Sequence, residues 1–215
     1  MNIQFREIKI LIWDFDGTLY KPNPRLWHEV REGEYRVIRE HTGWAREKTI
    51  SEFERLHSAD TPSATEAVAQ LSHISVAQAA GEMEEYFDRR KFVKRDEKLI
   101  QLFRKLKKFR HVTLANGVKQ KHIETLRVLG VAPETFELMV TSEIVGVTKP
   151  HDNGFRYILA HTKMPPAQHL MIGDRVVVDL VPAKALGMKT CLVWGESTLA
   201  DISLSTVYDV AGLLL

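Results

Sequence analysis

The chain has 215 residues, of which 44% are hydrophobic and 27% are charged, so it can bury a core as one domain or as a domain with an insertion. Thirty Lys and Arg residues against 28 Asp and Glu leave a net charge of +2, which argues against a dedicated nucleic-acid-binding protein. A single cysteine, Cys191, excludes an internal disulfide framework. Without a run of about 20 apolar residues or an apolar signal core, we expect a cytoplasmic protein that does not engage a membrane.

Short apolar runs that end in turn residues predict the strands of a sheet. They cover residues 8–13, 112–115, 138–140, 169–172 and 190–194. Continuous apolar runs of this kind are typical of strands buried on both faces of a parallel sheet. Between them, apolar residues at helical spacing predict helices over 99–106, 123–129 and 155–159. The alternation predicts an α/β fold with a doubly wound parallel sheet.

The stretch 22–95 breaks this alternation, because it contains helical patterns and no strand-like run. The patterns predict helices over 25–41, 46–57, 63–71 and 76–90, and Pro22 and Pro24 separate them from the first strand. From 21 to 95, 13 Lys and Arg balance 13 Asp and Glu, without the basic excess of a nucleic-acid module. The sequence predicts an all-helical domain of residues 22–95 inserted into an α/β core domain of residues 1–21 and 96–215.

Polar side chains follow the predicted strands. Parallel strands bring their carboxyl ends to one edge of the sheet, where ligands bind. The residues at these ends, or in the loops that follow them, are Asp14, Asp16, Asn116, Lys149, Asp174 and Asp179. We therefore expect four carboxylates, an ammonium and an amide in a single crevice.

This combination of groups indicates a particular chemistry. Close carboxylates repel one another unless a cation lies among them, and hard oxygen ligands favour magnesium over zinc. A carboxylate beside a divalent metal and a lysine is a poor base, but it can attack phosphorus and form an aspartyl-phosphate. The metal and Lys149 would offset the charge of the phosphoryl group. Each motif alone also has a plain interpretation as a turn or a helix cap, so their shared position carries the argument.

The motifs resemble those of the haloacid dehalogenase-like superfamily, whose members are mostly phosphohydrolases. The segment from Asp14 to Tyr20 is similar to its first motif, Lys149-Pro150 to the third, and Gly173-Asp174 with Asp179 to the fourth. The resemblance spans residues 8–195, and the insertion lies where the helical-cap subfamily carries its cap. It implies a magnesium-dependent phosphohydrolase that acts on a small phosphorylated metabolite, such as a sugar phosphate, a phosphoglycolate-like acid or a nucleotide.

The resemblance also implies residue roles. Asp14 would be the nucleophile, and Asp16 would protonate the leaving group and then activate water. For this Asp16 needs a pKa above the ordinary value of about 3.9, which a crowd of carboxylates would supply. Lys149 would steady Asp14 and, with Asn116 and Gly117, bind phosphate. The implied metal site consists of Asp14, the backbone carbonyl of Asp16, Asp174, and Asp179 in support.

One position departs from the family pattern. Ala115 stands before Asn116-Gly117, where the second motif carries a Ser or Thr hydroxyl that binds phosphate. The loss predicts a slower phosphatase and favours one alternative, a catalytically weak binding or regulatory protein. A phosphomutase, which would retain Asp14 and Asp16, is a second alternative that stays open. Dehalogenation is a third, but it has no need for Asp16.

Aromatic residues in the insertion are expected in its core. Trp27, Tyr35 and Trp44 lie at helical spacing, and aromatic residues in such patterns more often pack inside than line a site.

Overall fold

The computed structural model describes residues 5–21, 23–59 and 63–215. Its centre is a parallel six-stranded sheet in the order β3-β2-β1-β4-β5-β6. The strands are β1 (Ile10–Trp13), β2 (Arg110–Ala115), β3 (Leu138–Thr141), β4 (His169–Gly173), β5 (Lys189–Val193) and β6 (Ile202–Leu204). Ile10 pairs with Arg110 on one side and His169 on the other, so β1 is central. The predicted doubly wound parallel sheet is confirmed.

The sheet is buried on both faces, as its continuous apolar runs predicted. Leu11 and Trp13 belong to one core cluster, while Ile10 and Ile12 belong to the other, because alternate side chains point to opposite faces. Strand β6 was not predicted. It is a half-buried edge strand of three residues, too short to show a periodic pattern.

Four helices follow β1 in the stretch 22–95, which the sequence predicts to be an inserted domain. They are α1 (Pro24–Thr42), α2 (Arg46–Ala59), α3 (Ala64–Ser72) and α4 (Val76–Met83). Polar residues begin three of them: the Asn23, Ser63 and Ser75 side chains each accept a backbone N–H of the first turn, which satisfies a donor that the helix cannot. Pro22 and residues 60–62 lie outside the described residues.

The helix predicted over 76–90 is wrong in its second half. Helix α4 ends at Met83, and a 3₁₀ turn occupies Arg89–Lys91. Residues five apart on an α-helix point about 140° apart, so a continuous helix could not bring Arg89 onto Glu84. The buried ion pair between these two side chains therefore requires the break.

The remaining helices surround the sheet. They are α5 (Glu97–Lys105), α6 (Lys119–Leu129), α7 (Ser142–Val145), α8 (Asn153–Thr162), α9 (Val181–Ala185) and α10 (Val210–Leu214), with a π-helical turn at Val176–Leu180. Among the described residues, none of the helices has the length and apolar character that crossing a membrane requires.

Polar contacts place the insertion over the carboxyl edge of the sheet. Glu66 of α3 accepts hydrogen bonds from the backbone N–H of Thr148 (3.0 Å) and from its hydroxyl (2.6 Å). Arg89 reaches the loop after β1, where it pairs with Asp16. The helices thereby form a roof above the loops that carry the predicted site.

Candidate active site

Asp14 and Lys149 form a buried ion pair at the end of β1. The Lys149 Nζ lies 2.6 Å from Asp14 Oδ1, and Thr18 donates its hydroxyl hydrogen to Asp14 Oδ2 at 2.9 Å. Burial would raise the pKa of Asp14, but Lys149 and Arg175 together outweigh it and lower that pKa. Burial would likewise lower the pKa of Lys149, and the carboxylates beside it raise it instead. Asp14 is therefore an ionised carboxylate, as a nucleophile must be.

Asp174 and Asp179 complete the acidic cluster that the sequence predicted. One oxygen each of Asp14, Asp174 and Asp179 lies within 4.8 Å of the others. Asp179 is already engaged, since it accepts from Lys149 Nζ at 2.6 Å and from the Arg175 backbone N–H at 3.0 Å. Its contacts suit a residue that holds Lys149 in place.

Asp174 has the chemical character of a metal ligand. Its Oδ1 is buried and accepts no hydrogen bond from any residue that the structure describes. Burial, together with Asp14 and Asp179, raises the pKa of Asp174 to about 8. A divalent cation would satisfy this oxygen and relieve the repulsion, and carboxylate oxygens are the ligands that Mg²⁺ prefers. The residues therefore fit the predicted magnesium.

Gly17 allows the loop after β1 to lie close to Asp174 in the loop after β4. Its φ is +87°, in the left-handed region, and a Cβ there would collide with the Asp174 carboxylate. Glycine tolerates that conformation and adds no side chain, so the Asp-x-Asp-Gly pattern has a steric reason at its fourth position.

The side chain of Asp16 is bound by Arg89 of the inserted segment, and this contact has a greater effect on its ionisation than the neighbouring carboxylates do. Arg89 donates from Nε to both Asp16 oxygens (2.8 and 2.9 Å) and from Nη2 to Oδ2 (2.8 Å). Tyr20 also donates to Asp16, and Arg89 pairs with Glu84. The expected rise in the pKa of Asp16 is wrong for this conformation, because Arg89 outweighs the effect of burial and lowers that pKa to about 2.

Asn116 and Gly117 of the second motif line a cavity above Asp14, but several of their polar groups already make hydrogen bonds within the protein. Asn116 Oδ1 accepts the Lys149 backbone N–H at 2.9 Å, which fixes the lysine loop. The Gly117 N–H donates to the Ser142 hydroxyl at 3.0 Å. Ala115 is 3% exposed and lines the cavity without a polar side-chain group. The phosphate-binding assignment of Asn116 and Gly117 therefore stays a prediction.

A cavity of about 100 Å³ separates this floor from the helical roof. Asp14, Asp16, Ala115, Asn116 and Gly117 line the floor, and the roof residues come from α1, the start of α3, α4 and the segment after it. The cavity is small beside ligand pockets of about 300–1,000 Å³, so it suits a short substrate.

The cavity corrects one expectation and adds residues that the sequence did not reveal. Tyr35 is buried as predicted, but Trp27 is 41% exposed and lines the cavity. Arg89 and Arg175 also line it and were not predicted as site residues. A signal existed for Arg175, which follows the Gly173-Asp174 motif directly. The position of Arg89 depends on where α4 ends, which no local pattern gave.

The chain is similar to known proteins over most of its length. A profile of haloacid dehalogenase-like hydrolases matches residues 8–187. Shorter similar regions occur in a glyceraldehyde 3-phosphate phosphatase of Methanocaldococcus jannaschii, 39% identical over 77 residues, and in its Pyrococcus furiosus namesake, 41% identical over 59 residues. These regions cover 36% and 27% of this chain, and 33% and 24% of the relatives, so the match spans a third or less of their length.

Solved structures extend the likeness of fold across the whole chain. A HAD phosphatase from Thermococcus onnurineus superposes with a TM-score of 0.68 at 19% identity, covering 96% of this chain and 97% of the other. CbbY from Rhodobacter sphaeroides, solved with phosphate, gives 0.65 at 19% identity, with 94% and 96% covered. With the profile spanning most of the chain and the motif residues gathered at one sheet edge, the chain belongs to the haloacid dehalogenase-like hydrolase family.

Proposed function

We propose that this protein hydrolyses a small phosphomonoester through a covalent phosphate on Asp14, with Mg²⁺ as cofactor. The observation that carries the proposal is the ionised Asp14 carboxylate, paired with buried Lys149 at 2.6 Å, on the floor of a cavity. A carboxylate so placed is a nucleophile for phosphorus, and the lysine offsets charge on the phosphoryl group in transit.

The reaction has two steps that share the same groups. Asp14 attacks phosphorus, the bond from phosphorus to the ester oxygen breaks, and Asp16 gives its proton to that oxygen. Water then attacks the phosphorus of phospho-Asp14, Asp16 takes the water proton, and Asp14 leaves as a carboxylate with inorganic phosphate as product. Asp16 can hold a proton only after Arg89 has moved from its carboxylate, so the conformation described here precedes or follows the chemistry.

The acidic cluster would hold the cofactor. Asp14 and Asp174 supply the carboxylate ligands, with the backbone carbonyl of Asp16, while Asp179 supports the cluster through Lys149. Bound Mg²⁺ contributes Lewis-acid stabilisation of the phosphoryl oxygens.

Relatives suggest where a substrate search should begin. Several similar regions belong to archaeal proteins named glyceraldehyde 3-phosphate phosphatase, so triose phosphates head the list of compounds to test. Their small size agrees with the cavity of about 100 Å³.

Phosphate release tests the proposal directly. The assay uses para-nitrophenyl phosphate and a panel of triose, sugar and nucleotide phosphates, each with Mg²⁺ and with chelator. We expect metal-dependent release by the wild type and none above background by Asp14→Asn, because the amide is not a nucleophile for phosphorus. Glu124→Gln, at a residue that does not line the cavity, is the control. Release that persists in Asp14→Asn would refute the covalent route.

Ala115 favours a second candidate. Without the phosphate-binding hydroxyl, the protein could bind a phosphorylated ligand and turn it over poorly or not at all. Binding of inorganic phosphate without release from any ester would support that function instead.

A further inference from the structure

Helix α1 presents a mixed face to the cavity. Trp27, Val30 and Glu34 all line it, and their spacing of three and four residues places them on one side of the helix. Ala80, Met83 and Phe87 form the adjoining wall. The roof over Asp14 therefore combines an apolar wall with polar and charged side chains, Glu84 and Arg89 among them, and Glu34 is an acid on the apolar face of α1.

One oxygen of the buried Glu34 carboxylate has no well-aligned hydrogen-bond donor among the described residues. Glu34 is 3% exposed, and the oxygen in question is Oε2. Arg31 lies 3.1 Å from this oxygen, close enough for ion pairing but misaligned for hydrogen bonding. Burial outweighs this pair and raises the pKa of Glu34 to about 7. An acceptor left in this state is costly for the fold.

Glu34 lies on the side of the cavity toward which the substrate's leaving group would extend. Asp14 lies on the floor of the cavity, so a phosphoryl group bound there directs its ester substituent toward the roof. The cavity is about 100 Å³, and a leaving group of a few atoms would span it. When Glu34 is ionised, above its pKa of about 7, a donor on that group would give its carboxylate a hydrogen bond, whereas a carboxylate would add a second negative charge beside it.

We propose that Glu34 is a specificity-determining residue that accepts a hydrogen bond from a hydroxyl or ammonium on the leaving group and rejects leaving groups that carry a carboxylate. The inference rests on the proposed phosphatase function and narrows its substrates to short phosphomonoesters of alcohols that bear a further hydrogen-bond donor. Phosphoglycolate-like acids, which the sequence left open, fall outside this class.

The test compares three short esters that differ in the group facing Glu34. They are glycerol 3-phosphate with hydroxyls, phosphoethanolamine with an ammonium, and phosphoglycolate with a carboxylate. kcat/KM is measured for each on the wild type and on Glu34→Gln, and para-nitrophenyl phosphate serves as the reference for general activity. Glu40→Gln is the matched control, since Glu40 lies on the same helix but is exposed and pairs with Arg36.

We expect the wild type to prefer one or both donor-bearing esters over phosphoglycolate. In Glu34→Gln that preference should fall by about tenfold, because the neutral amide still accepts a hydrogen bond but no longer carries the charge that strengthens this bond and repels a carboxylate, while Glu40→Gln keeps the wild-type ratio. The comparison between hydroxyl and ammonium esters identifies which donor the site takes. A preference unchanged by Glu34→Gln, or a wild type that favours phosphoglycolate, would overturn the inference.

The same experiment separates the two proposals. If para-nitrophenyl phosphate is hydrolysed but the ratio does not move, the assignment of Glu34 fails and the phosphatase stands. If no ester is hydrolysed, the proposed function fails. In that case, calorimetry measures the binding of the three esters to the wild type and to Glu34→Gln. Selection at Glu34 would also appear in the ratio of the binding constants, so an unchanged ratio would again overturn the assignment of Glu34.

Discussion

Ala115 lies on the floor of the cavity and lacks the hydroxyl that the family's second motif carries at this position. It ends β2, pairs in register with Thr141 and lines the cavity. The nearest hydroxyl along its own strand, on Thr113, is fully buried, and Ser142 is already bonded to both the N–H and the carbonyl of Gly117. Neither hydroxyl is placed to replace the missing one.

Restoring that hydroxyl should therefore accelerate turnover. We expect Ala115→Thr to raise kcat/KM for para-nitrophenyl phosphate by about tenfold to a hundredfold, because a hydrogen bond to a charged group contributes about 1.5–3 kcal/mol. Ala115→Val has nearly the same shape without the hydroxyl and is the control, expected to give no gain. Equal rates for the two variants would mean that the floor does not need this donor.

The segment after α4 acts as one element that joins the insertion to the loop after β1. Glu84 and Arg89 are both buried and paired, and Arg89 extends to Asp16. Removing one member of a buried pair leaves an uncompensated charge, which is costly. Arg90 beside it is exposed and pairs with Asp88 at the surface, where such pairs contribute little.

Arg89→Met and Arg90→Met should thus differ in stability. The pKa of Asp16, lowered from 3.8 to about 2, corresponds to a stabilisation of about 2 kcal/mol that is complete above pH 4 and lost as the pH falls through 2. We expect Arg89→Met to lower the free energy of unfolding by at least about 2 kcal/mol at pH 7, with a smaller loss at pH 3. Arg90→Met should stay within about 0.5 kcal/mol.

Urea unfolding at both pH values measures this difference. A loss in Arg89→Met that is the same at pH 7 and pH 3 would mean that its cause is packing rather than the charge of Asp16. A loss of equal size in Arg90→Met would show that the buried location of the pair is not what matters.

Elements with a strong local pattern were predictable, and those decided by distant contacts were not. The strands that meet at β1, and helices α1 to α3, follow from apolar runs, spacing and capping residues. The end of α4 follows from a buried pair between Glu84 and Arg89, which becomes favourable only once the roof has closed. The low pKa of Asp16 has the same origin, because its partner lies 73 residues away in the chain.

At the scale of the whole molecule, the sheet and the inserted helices both contribute residues to the candidate site, which lies where they meet at the sheet edge. The sheet supplies Asp14, Lys149 and the acidic cluster, and these were predictable because parallel strands end at one edge. The insertion supplies Arg89 and Glu34, whose positions depend on how the helices dock. Glu34 did carry a signal in the sequence, as an acid on the same helical face as Trp27 and Val30, but this position alone does not distinguish a cavity wall from a surface.

Magnesium should link the acidic cluster to the stability of the whole fold. Asp174 has a pKa raised to about 8, so without metal its contribution to stability is complete below pH 3.8 and is lost as the pH rises through 8. A cation that binds the ionised form counteracts this loss. At 100 times its dissociation constant, Mg²⁺ should add about 2.7 kcal/mol, or about 5–10 °C in Tm for a chain of this size.

Thermal unfolding with Mg²⁺ and with chelator, at pH 6 and pH 9, tests this linkage. We expect a larger rise in Tm at pH 9, because at pH 6 the cation must displace the proton of Asp174. Asp174→Asn should abolish the response to Mg²⁺ and also flatten the decline of metal-free stability with pH, since the amide does not ionise. A Tm that does not respond to Mg²⁺ at either pH would exclude a stabilising metal at this cluster. A response that survives in Asp174→Asn would place the ion elsewhere on the protein.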